Sequence, residues 1–279
     1  MKPFLSSAAG CAALLLSLAL ASTALQAATD VASRLQAVVD GDHRSAADRA
    51  RDGYRHPVET LLWFGIRDDM TVVEVTPGAG WYTDILAPFL RERGQYYAAG
   101  FDPDSRVDFF RSAAERFRQK ITSSPELYGD VKITVLAPPE HTRIAPPESA
   151  DMVLTFRNVH NWMAAGTTDM IFAAMYQALK PGGILGVVEH RGDPARPQDP
   201  QARSGYVTED YVIERARAAG FEFIDRSDIN ANPRDTRDHP EGVWTLPPTL
   251  RLGDRDRERY LAIGESDRMT LKFVKPPRQ

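Results

Sequence analysis

With 279 residues, 43% of them hydrophobic and 26% charged, the chain is long enough for one α/β domain with a real core. Its 34 Lys and Arg against 38 Asp and Glu give a formal net charge of −4. The basic residues are interleaved with acids, as in Arg251–Tyr260, and not massed, which excludes nucleic acid as the expected partner.

The chain opens on Lys2, then an apolar stretch centred on "CAALLLSLALA", then small residues, which is the layout of a secretory signal peptide. The apolar part falls short of the roughly 20 residues that span a bilayer, so no stable membrane insertion is expected once the signal is removed. Cleavage is expected after Ala27 or Ala28, with Ala21 an acceptable earlier site, and a periplasmic or secreted location follows. Cys11 precedes the apolar segment, whereas a lipid-attachment cysteine would follow it. It is the only cysteine, so the mature chain has neither disulfide nor thiol, and no metal site is expected because the histidines also lack zinc-like spacing.

Residues 29–56 read as short N-terminal helices, and Pro57 suits the first turn of the helix "VETLLWFG". "TVVEV" gives the first strand and "WYTDILAPFLRER" the helix after it. "QYYAAGFD", "VKITVLA" and "ADMVLTF" are the next strands, separated by the helix "SRVDFFRSAAERFRQKI". The helix "DMIFAAMYQALK" leads through "PGG" into "ILGVVEH", a continuous apolar run suited to a central parallel strand. The helix "TEDYVIERARAAGF" and the strands "FEFIDRSD" and "RMTLKFVK" complete the chain. Strands alternating with helices imply a parallel sheet, except that the last two strands have no crossover between them. Residues 230–267 separate them as an irregular insertion, and Trp244 and Leu246 favour a docked lid over disorder.

The stretch "VVEVTPGAGWYTDIL" passes from strand through Gly78 and Gly80 into a helix, and Asp102 ends the second strand. Glycines there let a ligand approach the backbone, and a carboxylate at that strand end can take both hydroxyls of a ribose. The plainer alternative is that Asp102 caps the following turn. Thr83 stands where a dinucleotide-binding motif has its third glycine, which opposes a nicotinamide oxidoreductase.

Together with "GFDPDS", "ADMVLTFRNVHNW" and "LKPGGILGVVEHR", this stretch resembles the class I S-adenosylmethionine-dependent methyltransferases, and is similar to a group of bacterial predicted methyltransferases of unassigned substrate. The resemblance runs from about Asp48 to the C-terminus. It implies an α/β, Rossmann-like sandwich over residues 57–279, with a seven-stranded, mostly parallel sheet and an antiparallel last strand. It implies S-adenosyl-L-methionine as cofactor and a small-molecule methyl acceptor as partner. Glu74 would organise the amino-acid end of the cofactor, Thr76, Gly78 and Gly80 would line it, and Asp102 would hold the ribose. Phe156, Arg157 and Asn158 would stand near the transferred methyl. Thr76 and Pro77 depart from the glycine pattern, and Glu140 is the one candidate for the adenine contact in "LAPPEH".

Methyl transfer to an oxygen or nitrogen also needs a base. His160 and His190 follow strand ends, where open sheets bind ligands, and each is equally readable as a histidine bonded to nearby backbone. Trp162, Arg191, Trp244 and His56 complete the candidate acceptor pocket, His56 through the "RHP" segment. The alternative function is an exported ligand-binding module that keeps this fold without turnover. The sequence leaves the oligomeric state open.

Overall fold

In the computed structural model, which describes residues 30–278, the strands are β1 (Thr71–Val75), β2 (Gln95–Gly100), β3 (Lys132–Val135), β4 (Ala150–Phe156), β5 (Leu179–His190), β6 (Glu222–Ser227) and β7 (Arg268–Val274). The signal-peptide expectation lies outside the described residues. Among those residues no helix is long and apolar enough to cross a membrane. β1 and β4 bury apolar side chains on both faces, Val72, Val73 and Val75 in one and Met152, Val153 and Leu154 in the other. Such strands belong at the centre of a sheet covered on both sides.

The sheet order is β3–β2–β1–β4–β5–β7–β6. The first five strands in chain order pair in parallel, and β7 runs antiparallel to both β5 and β6. This is the expected seven-stranded, mostly parallel sheet with an antiparallel last strand. β5 starts earlier than "ILGVVEH", taking in the glycines expected as a turn, and its register against β4 shifts between Ala150 and Met152.

One face is covered by α1 (30–39), α4 (Pro57–Phe64), α5 (Thr83–Leu90) and α6 (Asp108–Ser123), through Leu35, Leu61, Phe64, Ile85, Leu86 and Phe117. The other is covered by α8 (Val159–Ala165), α9 (Thr168–Ala178) and α10 (Glu209–Ala218), with Trp162, Phe172, Met175 and Val212 in its core. Between α4 and the sheet, Gly186 must lack a side chain. A Cβ there would come within 2.7 Å of Leu154 and 2.8 Å of the Phe64 ring.

Three further helices are one turn long: α2 (Ala46–Arg49), α3 (Asp52–Arg55) and α7 (Pro125–Tyr128). The N-terminal helices are tied to the glycine turn. Trp81 donates to Asp48 O at 3.2 Å, and its ring lies between Arg44 and Arg55, whose guanidinium carbons stand 4.8 and 4.4 Å from it. Cation–π stacking of this kind adds about 1 kcal/mol or more when desolvated.

Residues 230–267 are more ordered than their composition suggests. They hold a 3-10 turn (Gly242–Thr245) and α11 (Arg257–Ile263), with Leu246 fully buried. Asp235 is their hub. It accepts from the Tyr206 hydroxyl at 2.9 Å and from the Asp267 amide at 2.8 Å, with His239 Nε2 2.9 Å away.

Candidate active site

A cleft of about 930 Å³ opens at the C-terminal ends of β1 to β4. Thr76 and Gly78 form its floor after β1, Phe101 and Asp102 one wall after β2, Leu136 and Glu140 another after β3, and Asn158, Asn161 and Trp162 the side after β4. The floor needs unusual backbone. Thr76 and Gly78 have φ of 53° and 62°, and a Cβ at Gly78 would meet nothing within 4 Å, so its backbone faces open space. Gly80 (φ 85°) lies under Lys120, which a Cβ would approach to 3.1 Å, so it shapes the turn.

Asn158 fixes this loop. Its side-chain amide donates to Val75 O at 3.0 Å and to Thr155 Oγ1 at 3.1 Å, and so joins β1 to β4 below the glycines. Asp102 accepts the Asp104 amide at 2.9 Å through one oxygen, the turn geometry of a capping residue, while also lining the cleft. Phe101 stacks on Phe110 with ring centres 4.8 Å apart, giving the cleft an aromatic rim.

Beside the cleft, β5 delivers Glu189 and His190 against α8. Glu189 is fully buried, and both its oxygens accept hydrogen bonds: Oε2 from the Val159 amide at 2.6 Å, Oε1 from the His190 amide at 2.8 Å. His160 Nδ1 lies 3.1 Å from Oε1. A carboxylate oxygen only accepts, so Nδ1 is the nitrogen that carries its hydrogen toward Glu189, and Nε2 is the one left for another partner. The rings of His160 and His190 are 5.3 Å apart, and Trp244 stands 6.0 Å from His160. Burial, then the charges of His160 and of Arg268, Arg157 and Arg55, hold His190 well below the usual histidine range. His190 is therefore neutral, bonded to Ser266 Oγ at 2.5 Å. The expectation of no metal site rested on spacing along the chain, and here the fold adds something that spacing hid. His160, Glu189 and His190 present ligand atoms within 4.8 Å of one another.

Solved structures share this architecture. A SAM-dependent methyltransferase from Aquifex aeolicus is 17% identical, with a TM-score of 0.52 over 71% of this chain and 93% of its own. The [4+2]-cyclase SpnF is 18% identical, with a TM-score of 0.53 and 86% of each chain covered. Phosphoethanolamine N-methyltransferase 2 from Haemonchus contortus, solved with S-adenosyl-L-methionine, is 17% identical, with a TM-score of 0.53 over 80% of this chain and 53% of that one.

This chain has the class I methyltransferase fold.

At such identities the likeness is one of fold, and a cyclase among the neighbours shows that this methyltransferase fold hosts more than one reaction. No protein-family model matches the sequence, and no curated protein matches it.

Within the methyltransferase fold, several residues named from sequence stand away from the cleft. Glu74 is buried beneath the glycine turn, accepting from Thr83 Oγ1 at 3.0 Å and from the Tyr96 hydroxyl, and does not line the cleft. Phe156 stacks on Tyr82 with ring centres 3.5 Å apart and packs in the core. Arg191, read as an acceptor ligand, is tied to both flanks of the insertion, donating to Asp228 at 2.8 Å and to Arg268 O at 2.9 Å. Trp162 lines the cofactor-sized cleft with its other edge against Phe172. His56 joins α3 to α4 at φ 40°, with Nδ1 buried and unpaired. Arg157 does not line the cleft, and its charge is felt by Arg55 as that of Arg268 is felt by Arg157. That arginine group has no sequence signal, because its members come from segments far apart along the chain.

Proposed function

We propose that this protein is an S-adenosylmethionine-dependent methyltransferase acting on a small-molecule acceptor. The observation that carries the reading is the single cleft that gathers Gly78, Asp102, Glu140 and Asn158 from four strand ends. Its residues fit the cofactor part by part. The open backbone at Thr76 and Gly78 suits the methionine portion, the Asp102 carboxylate suits the ribose hydroxyls, and the Phe101–Phe110 rim with Glu140 suits adenine and its amino group. Bound there, the cofactor supplies an electrophilic methyl on its sulfonium.

The chain's own part is to align the acceptor, exclude water and take a proton. Glu189 holds His160 in the tautomer whose Nε2 accepts a proton from the acceptor's nucleophile. Trp244, from the insertion, stands beside the His160 ring, and His190 stays a hydrogen-bonding partner of Ser266. The motif order and the solved relatives of the fold support the cofactor assignment, and the signal-like N-terminus supports action outside the cytoplasm.

Labelled methyl transfer to a panel of phenols, thiols and amines tests the reading. With an accepted substrate, His160→Ala should lower turnover about a hundredfold or more and leave S-adenosylhomocysteine affinity nearly unchanged. An unaltered rate in His160→Ala would remove the base from His160. No transfer to any acceptor despite bound cofactor would remove the small-molecule assignment.

A further inference from the structure

The region between the histidines and the N-terminal helices carries more positive charge than proton transfer requires. Arg51, Arg55, Arg157 and Arg268 come from the N-terminal segment, the turn after β4 and the start of β7. One carboxylate, Glu265, serves them. It accepts from Arg51 Nε at 2.5 Å and from Arg268, while Arg55 Nε stays 3.7 Å away. Arg268 also donates to Tyr54 O at 2.9 Å.

Two guanidinium groups are left over. Arg55 is only 3% exposed, and its Nε and Nη1 are buried without a partner. Arg157 is half-buried, and among the described residues its guanidinium meets other charges but no hydrogen-bond acceptor. Burial and then the charge of Arg157 lower Arg55 to about 8, and burial and then Arg268 lower Arg157 to about 10. Guanidinium groups resist deprotonation, so shifts of this direction mark too little counter-charge, Glu265 being shared among four arginines. Burying a charge that is incompletely paired destabilises the folded chain.

The backbone adds to that cost. Arg157 sits at φ 62°, held by its amide bond to Val188 O at 2.7 Å, and a left-handed conformation is strained for a non-glycine residue. The kink separates two neighbours. Asn158 lines the cofactor cleft, whereas neither Arg55 nor Arg157 does. Arg268 stands opposite His190 across the β5–β7 ladder, and Arg157 donates its amide to Val188 O two residues before His190, whose ring is 5.3 Å from that of His160. They stand on the side of the base.

We propose that Arg55 and Arg157 bind an oxygen anion, a carboxylate or a phosphate, carried by the methyl acceptor. This rests on the methyl-transfer reading and names its substrate class. Paired guanidinium forks match such groups bidentately. The cofactor carries a carboxylate of its own, so the test must separate the two sources.

Thermal unfolding of the purified protein, titrated with inorganic phosphate at constant ionic strength, gives the first readout. Phosphate should raise the wild-type Tm saturably, and in Arg157→Gln half-saturation should move at least tenfold higher. In phosphate-free buffer Arg157→Gln should unfold at a higher temperature than wild type, because it removes repulsion and breaks no hydrogen bond. Arg157→Lys, which keeps the charge, should retain part of the phosphate effect. A lower Tm for Arg157→Gln with an unchanged phosphate response would show a merely structural arginine and overturn the proposal. So would a wild-type protein indifferent to phosphate.

The second readout is affinity for S-adenosylhomocysteine and for 5′-methylthioadenosine, which lacks the amino-acid carboxylate. Both should bind Arg157→Gln within twofold of wild type. A tenfold loss confined to S-adenosylhomocysteine would assign the arginines to the cofactor and overturn the acceptor proposal. Wild-type protein that binds phosphate but neither nucleoside would overturn the methyl-transfer reading, and the acceptor assignment with it, while keeping the anion site.

Discussion

Glu74 shows how a single buried carboxyl couples the candidate site to pH. Burial raises it to about 7, against the downward pull of its hydrogen bonds from Tyr96 and Thr83. An unfolded glutamate titrates near about 4.3. Between those values the folded chain holds a proton that the unfolded chain has released. The stability contribution is therefore full below about 4.3 and is lost as pH rises through about 7. Glu74→Gln should remove this dependence. Relative to wild type, the variant should gain about 2–3 kcal/mol on going from pH 5 to pH 8, at about 1.4 kcal/mol per pKa unit. Urea unfolding at the two pH values measures it, and parallel behaviour of the two proteins would show Glu74 to be ionised across that range. From sequence, the resemblance to class I methyltransferases implies that Glu74, in the first strand, organises the amino-acid end of the cofactor. That it points under the turn, toward Tyr96, depends on a neighbouring strand that local pattern does not register.

At the scale of elements, the strands and most flanking helices follow from local periodicity, and β1, β4 and β7 match their apolar runs. α8 is less legible. No helix is expected between "ADMVLTF" and "DMIFAAMYQALK", and the one formed by "VHNWMAA" is anchored by Glu189 accepting amides of its first turn, a contact from a different element. Those accepted hydrogen bonds also argue that Glu189 orients His160 and does not hold an ion. Exhaustive dialysis against EDTA should accordingly leave turnover unchanged, and a loss restored by a divalent cation would make His160, Glu189 and His190 a metal centre. The insertion is the other illegible element, since its Pro, Asp and Arg content hides the hub at Asp235. Asp235→Ala would strand the Tyr206 hydroxyl, the His239 ring and the Asp267 amide. The expected loss is about 3 kcal/mol or more, because buried polar groups without partners cost about 1–3 kcal/mol each. Hydrogen exchange should show residues 230–267 losing protection before the sheet does. Equal loss across the chain would mean that the insertion does not open as a lid.

For the molecule as a whole, the strand–glycine–helix–strand–acid order is local in sequence, and so the cleft was readable in advance. The arginine group and the His160–Glu189 contact are not, because each assembles residues from elements far apart in sequence that only the tertiary fold brings together. Export belongs to this scale too. Intact mass of protein from a cell-envelope fraction should begin near Ala28 or Thr29, and a full-length or Cys11-lipidated species would place the protein otherwise. The central claim is that the cleft binds S-adenosylmethionine with Asp102 on the ribose. Calorimetric titration with S-adenosylhomocysteine tests it most directly. Saturable one-to-one binding is expected, weakened roughly tenfold to a hundredfold by Asp102→Ala, since hydrogen bonds to an ionised acceptor contribute about 1.5–3 kcal/mol. No binding to the wild-type protein, or equal affinity in folded Asp102→Ala, would contradict it.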